Sequence, residues 1–169
     1  EEALACFDQA DLLNPMSTDS MICRGLALCM MEMPEDAVVL YQQVLELEPG
    51  NEDALFNLAT AFQQTNRPEK AMAIFRTLLS SERYGIDAMF ELGLVLKSSS
   101  RIEEALRIYS NYIDTNPFNA STWFARGVML SELGRLQQGI DSYLVAIAIR
   151  EDFSPAWVNR GNNLASMGS

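Results

Sequence analysis

Apolar side chains recur three and four positions apart along most of this chain, as in DAMFELGLVLKSS and STWFARGVMLSEL. That spacing puts them on one face of an α-helix. Short breaks rich in Pro, Gly, Asn and Asp separate the periodic stretches, and nothing in the chain alternates with the two-residue period of a half-buried strand. The pattern predicts an all-α chain.

The breaks keep a register. Pro15, Pro49, Arg83, Pro117 and Glu151 stand 34 residues apart, and two further phases repeat with them. One carries the large residues Met21, Leu55, Met89, Trp123 and Trp157; the other, four residues on, carries Gly25, Ala59, Gly93, Gly127 and Gly161. A fixed period of this size marks stacked supersecondary units, none able to bury its apolar face alone. Counted from Thr18, Glu52, Ile86, Ala120 and Ser154, each unit reads as a helix, a break and a second helix. The expected organisation is a single array. It has full units over 18–51, 52–85, 86–119 and 120–153, a preceding second helix within 1–17, and a following first helix over 154–169. The chain is expected to be a fragment of a longer array.

Residue chemistry fits these boundaries. Pro34 and Pro68 stand where a second helix begins, a position that tolerates proline because its amide has no partner within the helix. Glu35, Glu69, Glu103 and Glu104 follow in the first turn, where carboxylates complement the helix dipole. The second helices carry Ala37, Ala71, Ala105 and Gly139, then Tyr41, Phe75, Tyr109 and Tyr143 four positions later, as an inward face. A helical glycine costs about 1 kcal/mol relative to alanine, so glycines repeated at one phase point to close approach of the paired helix. The breaks at Arg83 and Glu151 lack proline and are expected to be softer joints. Trp157 and Leu164 are expected to pack inward.

Composition narrows the functional classes. The net charge is −11, and it is uneven: residues 1–66 hold 12 acids against Arg24 alone, whereas residues 67–169 balance. An acidic half disfavours nucleic acid and anionic membrane and favours a basic partner, unless its charges serve only as solvated helix faces. There is no histidine, which removes the commonest general base and metal ligand. Cys6, Cys23 and Cys29 lack a zinc-site or disulfide pattern and read as small packing residues in a reducing, cytoplasmic setting. No apolar run is long enough to span a bilayer. No phosphate loop, activated nucleophile or converging acid–base pair is visible, so no catalytic residue, metal or cofactor is expected.

With ALFNLATAF…KAMAIFRTLL and STWFARGVML…GIDSYLVAI in view, the chain resembles the tetratricopeptide repeat family. That family places a large residue, Leu-Gly and an aromatic or Leu in the first helix, then Ala, an aromatic, Ala and Pro in the second. The resemblance covers practically the whole chain. Departures are Arg24, Arg126 and Arg160 in place of Leu, and Val44, Leu78 and Tyr112 in place of Ala. Arg126 and Arg160 are expected to pair with acids of adjacent helices.

The resemblance implies a right-handed superhelical solenoid of antiparallel helix pairs, whose first helices line a concave groove that binds peptides or protein segments. The fifth position of each unit reads Ile22, Phe56, Phe90, Phe124 and Val158, and the ninth reads Leu26, Thr60, Leu94, Val128 and Asn162. Either these rows form an open apolar ladder, or neighbouring first helices cover much of it. Neither row holds Lys or Arg, so the family's clamp for acidic chaperone tails is absent. The sixth-position asparagines that grip a peptide backbone in some members are represented by Asn57 and Asn159, interrupted by Cys23, Glu91 and Ala125. Asp19, Asp53 and Asp87 share the second position and either complement the helix dipole or form an acidic rim for a basic ligand. The expected function is a non-enzymatic protein- or peptide-binding scaffold, with homo-oligomerisation through the array ends as a further expectation. The alternative is the substrate-recruiting region of a larger enzyme, such as a glycosyltransferase.

Overall fold

The computed structural model describes residues 17–168. The helix expected at the N-terminus, together with Cys6 and Pro15, lies outside them. The described residues form helices α1 (Thr18–Met30), α2 (Pro34–Leu47), α3 (Glu52–Gln64), α4 (Pro68–Leu78), α5 (Gly85–Ser98), α6 (Ile102–Thr115), α7 (Ala120–Glu132), α8 (Leu136–Ile149) and α9 (Ser154–Gly168). No strand occurs among them. The chain divides within α5 into two compact units, one up to Val95 and one from Leu96. In the first, α1 packs on α2, α2 on α3 and α3 on α4; in the second, α6 packs on α7, α7 on α8 and α8 on α9.

Helix starts and stops repeat with the 34-residue period. The side chains of Ser17, Asn51 and Asn119 accept hydrogen bonds from the amides of Ser20, Ala54 and Thr122, each satisfying an orphan donor of a first helix. First helices end in a left-handed residue: Glu32 (φ 61°), Asn66 (55°), Ser100 (60°) and Gly134 (72°). The following amide then reaches back to close the last turn, Met33 to Leu28 at 2.9 Å, Arg67 to Phe62 at 2.8 Å, Arg101 to Leu96 at 2.7 Å and Arg135 to Leu130 at 2.9 Å. Only Gly134 adopts that conformation without steric cost.

Small residues on the first helices admit tyrosines from the second. A Cβ at Gly25 would lie 2.5 Å from Tyr41 Cε1, and one at Gly127 would lie 2.5 Å from Tyr143 Cε1. Both tyrosine rings are almost fully buried. Around Tyr143, Ala146, Ile147 and Ala156 form a buried cluster of the second unit, with Trp123, Phe124, Val128 and Phe153 packed on it.

The joints without proline carry side-chain ties. Ser81 donates to Glu52 at 2.8 Å, Arg83 pairs with Asp53 at 2.7 Å, and the Tyr84 hydroxyl donates to the same Asp53 carboxylate. At the other joint the Trp157 indole donates to the Glu151 carbonyl at 2.9 Å, as Trp123 does to Pro117 at 2.8 Å one repeat earlier. The arginines at the seventh position belong to the same arrangement. Arg126 and Arg160 each lie 5.6 Å from the centroid of the tryptophan three residues before them. Arg126, expected to meet an acid, instead donates to Ser142 Oγ at 2.7 Å. Trp157 and Leu164, expected to pack inward, are both about half exposed; Leu130, the counterpart of Leu164 one repeat earlier, is buried.

Candidate functional site

The first helices carry the positions that the sequence pattern marks as a binding face, and the structure separates them by phase. Fifth-position side chains are turned largely into the protein. Ile22 is buried. Phe56 stacks on Tyr84 with ring centroids 4.8 Å apart and meets Phe75 edge-on at 5.7 Å. Phe124 lies 5.8 Å from Tyr143 and 5.1 Å from Phe153, and Phe90 is half-buried. Val158, on α9, is 59% exposed.

The ninth position is more open. Leu26 is 42% and Leu94 54% exposed, Thr60 and Val128 are half-buried, and Asn162 is exposed. The Thr60 hydroxyl is directed to the Phe56 carbonyl of its own helix at 3.1 Å. On α1 and α5 the ninth-position leucine is thus more open than the fifth-position residue one turn before it.

Polar candidates divide in the same way. Asp53 is engaged by Arg83 and Tyr84, whereas Asp19 and Asp87 are exposed at the starts of α1 and α5. Asn57 is half-buried on α3. Glu91, which interrupts the asparagine row, accepts from Gln63 Nε2 at 3.2 Å.

In the second unit Val128, Asn159 and Asn162 come together around a cleft of about 360 Å³, joined by Ser131, Glu132, Tyr143 and Asn163. Its inner wall is a directed hydrogen-bond chain. Ser131 Oγ gives its one proton to the Gly127 carbonyl at 2.8 Å, so the Tyr143 hydroxyl, 3.0 Å away, donates to Ser131. Asn163 Nδ2 donates to Ser131 Oγ at 2.7 Å and to the Leu136 carbonyl at 3.3 Å. Burial pushes the Tyr143 phenol above its usual range. A Cβ at Gly139 would lie 2.7 Å from Ser131 Oγ and 2.8 Å from Asn163 Nδ2, so the glycine makes room for this cluster. Ser131, Gly139 and Asn163 were not singled out as site residues from the sequence. The available signal was their departure from the repeat, since Gly139 stands where Ala37, Ala71 and Ala105 occur and Asn163 where Ala27, Ala61, Val95 and Met129 occur.

Among the described residues no group of three His, Cys, Asp or Glu side chains is placed to hold a metal ion. Among them, too, no helix is long and apolar enough to cross a membrane.

Helical hairpins repeated at one period, with aromatic residues locked against small ones, define an all-α helical-repeat protein. Sequence profiles of the tetratricopeptide repeat match residues 28–83 and 90–152, together well over half of the chain, and the chain belongs to that family. Its fold is similar to that of YrrB, a TPR protein with an unusual peptide-binding site (TM-score 0.68, 20% identity, 96% of this chain and 84% of that chain). It is similar also to MamA (TM-score 0.70, 19% identity, 89% and 82%). A further MamA structure, from Desulfovibrio magneticus RS-1, gives a TM-score of 0.71 at 15% identity over 89% of this chain and 85% of that one. At such identities the likeness is one of fold. No curated protein matches the sequence. The family and fold are those of a protein-interaction scaffold.

Proposed function

We propose that the chain is a non-enzymatic scaffold that binds a segment of a partner protein on the open faces of its first helices. The observation that carries this reading is the exposure of Leu26 and Leu94 at the ninth position of two first helices, where the fifth-position Ile22 is buried and Phe90 half-buried. Apolar side chains left in water at a shared phase of the first helices suit a ligand that brings apolar side chains of its own. Covering one such leucine contributes roughly 1.5–3 kcal/mol before the cost of ordering the ligand. The peptide-binding site of YrrB, whose fold is similar, supports the same reading.

The ligand is basic on this account. Asp19 stands exposed in the half of the chain that holds the net charge and Asp87 stands exposed beyond it, while Asp53 is occupied at its joint. A peptide-library selection on the folded chain tests the proposal. Selected peptides should be rich in Lys or Arg, and Leu94→Asp should weaken their binding by about tenfold or more while the circular dichroism stays helical. Selection of nothing, or peptides indifferent to both Leu26→Asp and Leu94→Asp, would refute it.

A further inference from the structure

The cleft in the second unit has a chemical bias that the acidic rim does not explain. Every proton of its inner wall whose direction can be followed is turned inward: Ser131 to Gly127, Tyr143 to Ser131, and both amide protons of Asn163 to Ser131 and Leu136. Ser131 accepts from both Tyr143 and Asn163, so this wall is spent on itself and recognition falls to the other lining groups. Glu132 supplies the one charged group among the lining residues, and the Asn159 and Asn162 amides line the same cleft, Asn159 hydrogen-bonded to Tyr143. Val128 adds an apolar patch on which a hydrocarbon stem can lie.

A pocket that offers oxygens and a carboxylate over an apolar patch selects a flat, multiply donating cation. Glu132 is 44% exposed at its side chain and is held from one side by Lys97, whose Nζ stands 2.5 Å from Oε1. Lys97 does not line the cleft. The ion pair keeps the carboxylate in place in the free protein and leaves Oε2 for a second donor. Arginine matches this arrangement better than lysine because its planar fork can engage a carboxylate and a neighbouring amide oxygen together.

We infer that this cleft binds an arginine side chain of the partner segment, with Glu132 as the counter-ion and Lys97 as an internal competitor for it. The inference rests on the peptide-binding reading above and specifies the residue that one subsite takes. The binding energy comes from a charge-assisted pair in a partly desolvated cleft, which is stronger than a fully exposed pair.

The test uses the whole chain and three mixed-sequence nonapeptide libraries with the central residue fixed as arginine, citrulline or glutamate. Retention on the wild-type chain should favour the arginine library over the citrulline library by roughly tenfold. Glu132→Gln should abolish that preference. Lys97→Met, which removes the competitor, should strengthen retention of the arginine library by about threefold. Both positions are solvent-accessible, and the citrulline arm needs no protein variant at all. Equal retention of arginine and citrulline peptides, or an arginine preference that survives Glu132→Gln, would overturn the inference while leaving the scaffold reading intact. Failure of all three libraries to bind would overturn both.

Discussion

Gly127 and Gly161 occupy one phase of the repeat but face different surroundings. A methyl group at Gly127 would run into Tyr143, whereas nothing lies within 4 Å of the same group at Gly161. Packing and helix propensity therefore pull in opposite directions at the two sites. Gly127→Ala should lower stability by about 1–3 kcal/mol through overpacking. Gly161→Ala should raise it by about 0.5–1 kcal/mol, because alanine loses less backbone entropy in a helix. Thermal unfolding followed by circular dichroism checks both, and equal shifts of the same sign would show that the small residues do not serve close approach. Part of this was legible in the sequence: a costly glycine repeated at one phase implies a partner. The exception at Gly161 was not, since periodicity gives the phase of a residue and not whether its neighbour is present. The cleft residues were hidden for a related reason. Ser131 and Asn163 interact with each other across 32 positions, so the departure of Asn163 from its repeat phase does not by itself name its partner.

At the scale of elements, the period announced helix pairs because each pair must solve the same packing problem with side chains of the same size. The joints were harder to read. Proline stiffens a turn through its own ring, which a sequence displays directly, but the turn at Arg83 is fixed by side chains of α3 some 30 residues away. Asp53 consequently belongs to the architecture of the joint, while Asp19 and Asp87 at the same phase remain exposed. Asp53→Ala should remove the Arg83 and Tyr84 contacts together and cost about 1–2 kcal/mol, more than an isolated surface ion pair because a half-buried tyrosine hydroxyl loses its acceptor as well. Amide exchange should quicken locally around residues 81–85 in this variant. Unchanged exchange there would mean that the turn is held by its backbone alone. The helix caps were equally periodic, at Ser17, Asn51 and Asn119, and the left-handed closures at Glu32, Asn66, Ser100 and Gly134 recur without a common residue type. Backbone geometry repeats here even where side chains do not.

For the molecule as a whole, the repeat explains why family and fold could be read from one sequence while the binding face could not be drawn in full. Burial dictates which phases must be apolar or small, and those dictates are strong. Exposure of the ninth position, against near-burial of the fifth, depends on how the aromatic residues of the next turn fold back, as Tyr84 does over Phe56 and Phe153 over Phe124. Charge is also distributed at this scale, with the net −11 residing in the first part of the chain, so encounter with a basic ligand should slow as salt screens it. The central claim is that first helices, not second helices, carry the ligand. Hydroxyl-radical footprinting of the chain with and without a selected peptide tests it directly, because exposed apolar reporters exist on both: Leu26, Leu94 and Val158 on first helices, Val39 and Leu144 on second helices. The account predicts protection of Leu26, Leu94 and Val158 with Val39 and Leu144 unchanged; protection of Val39 and Leu144 alone would contradict it.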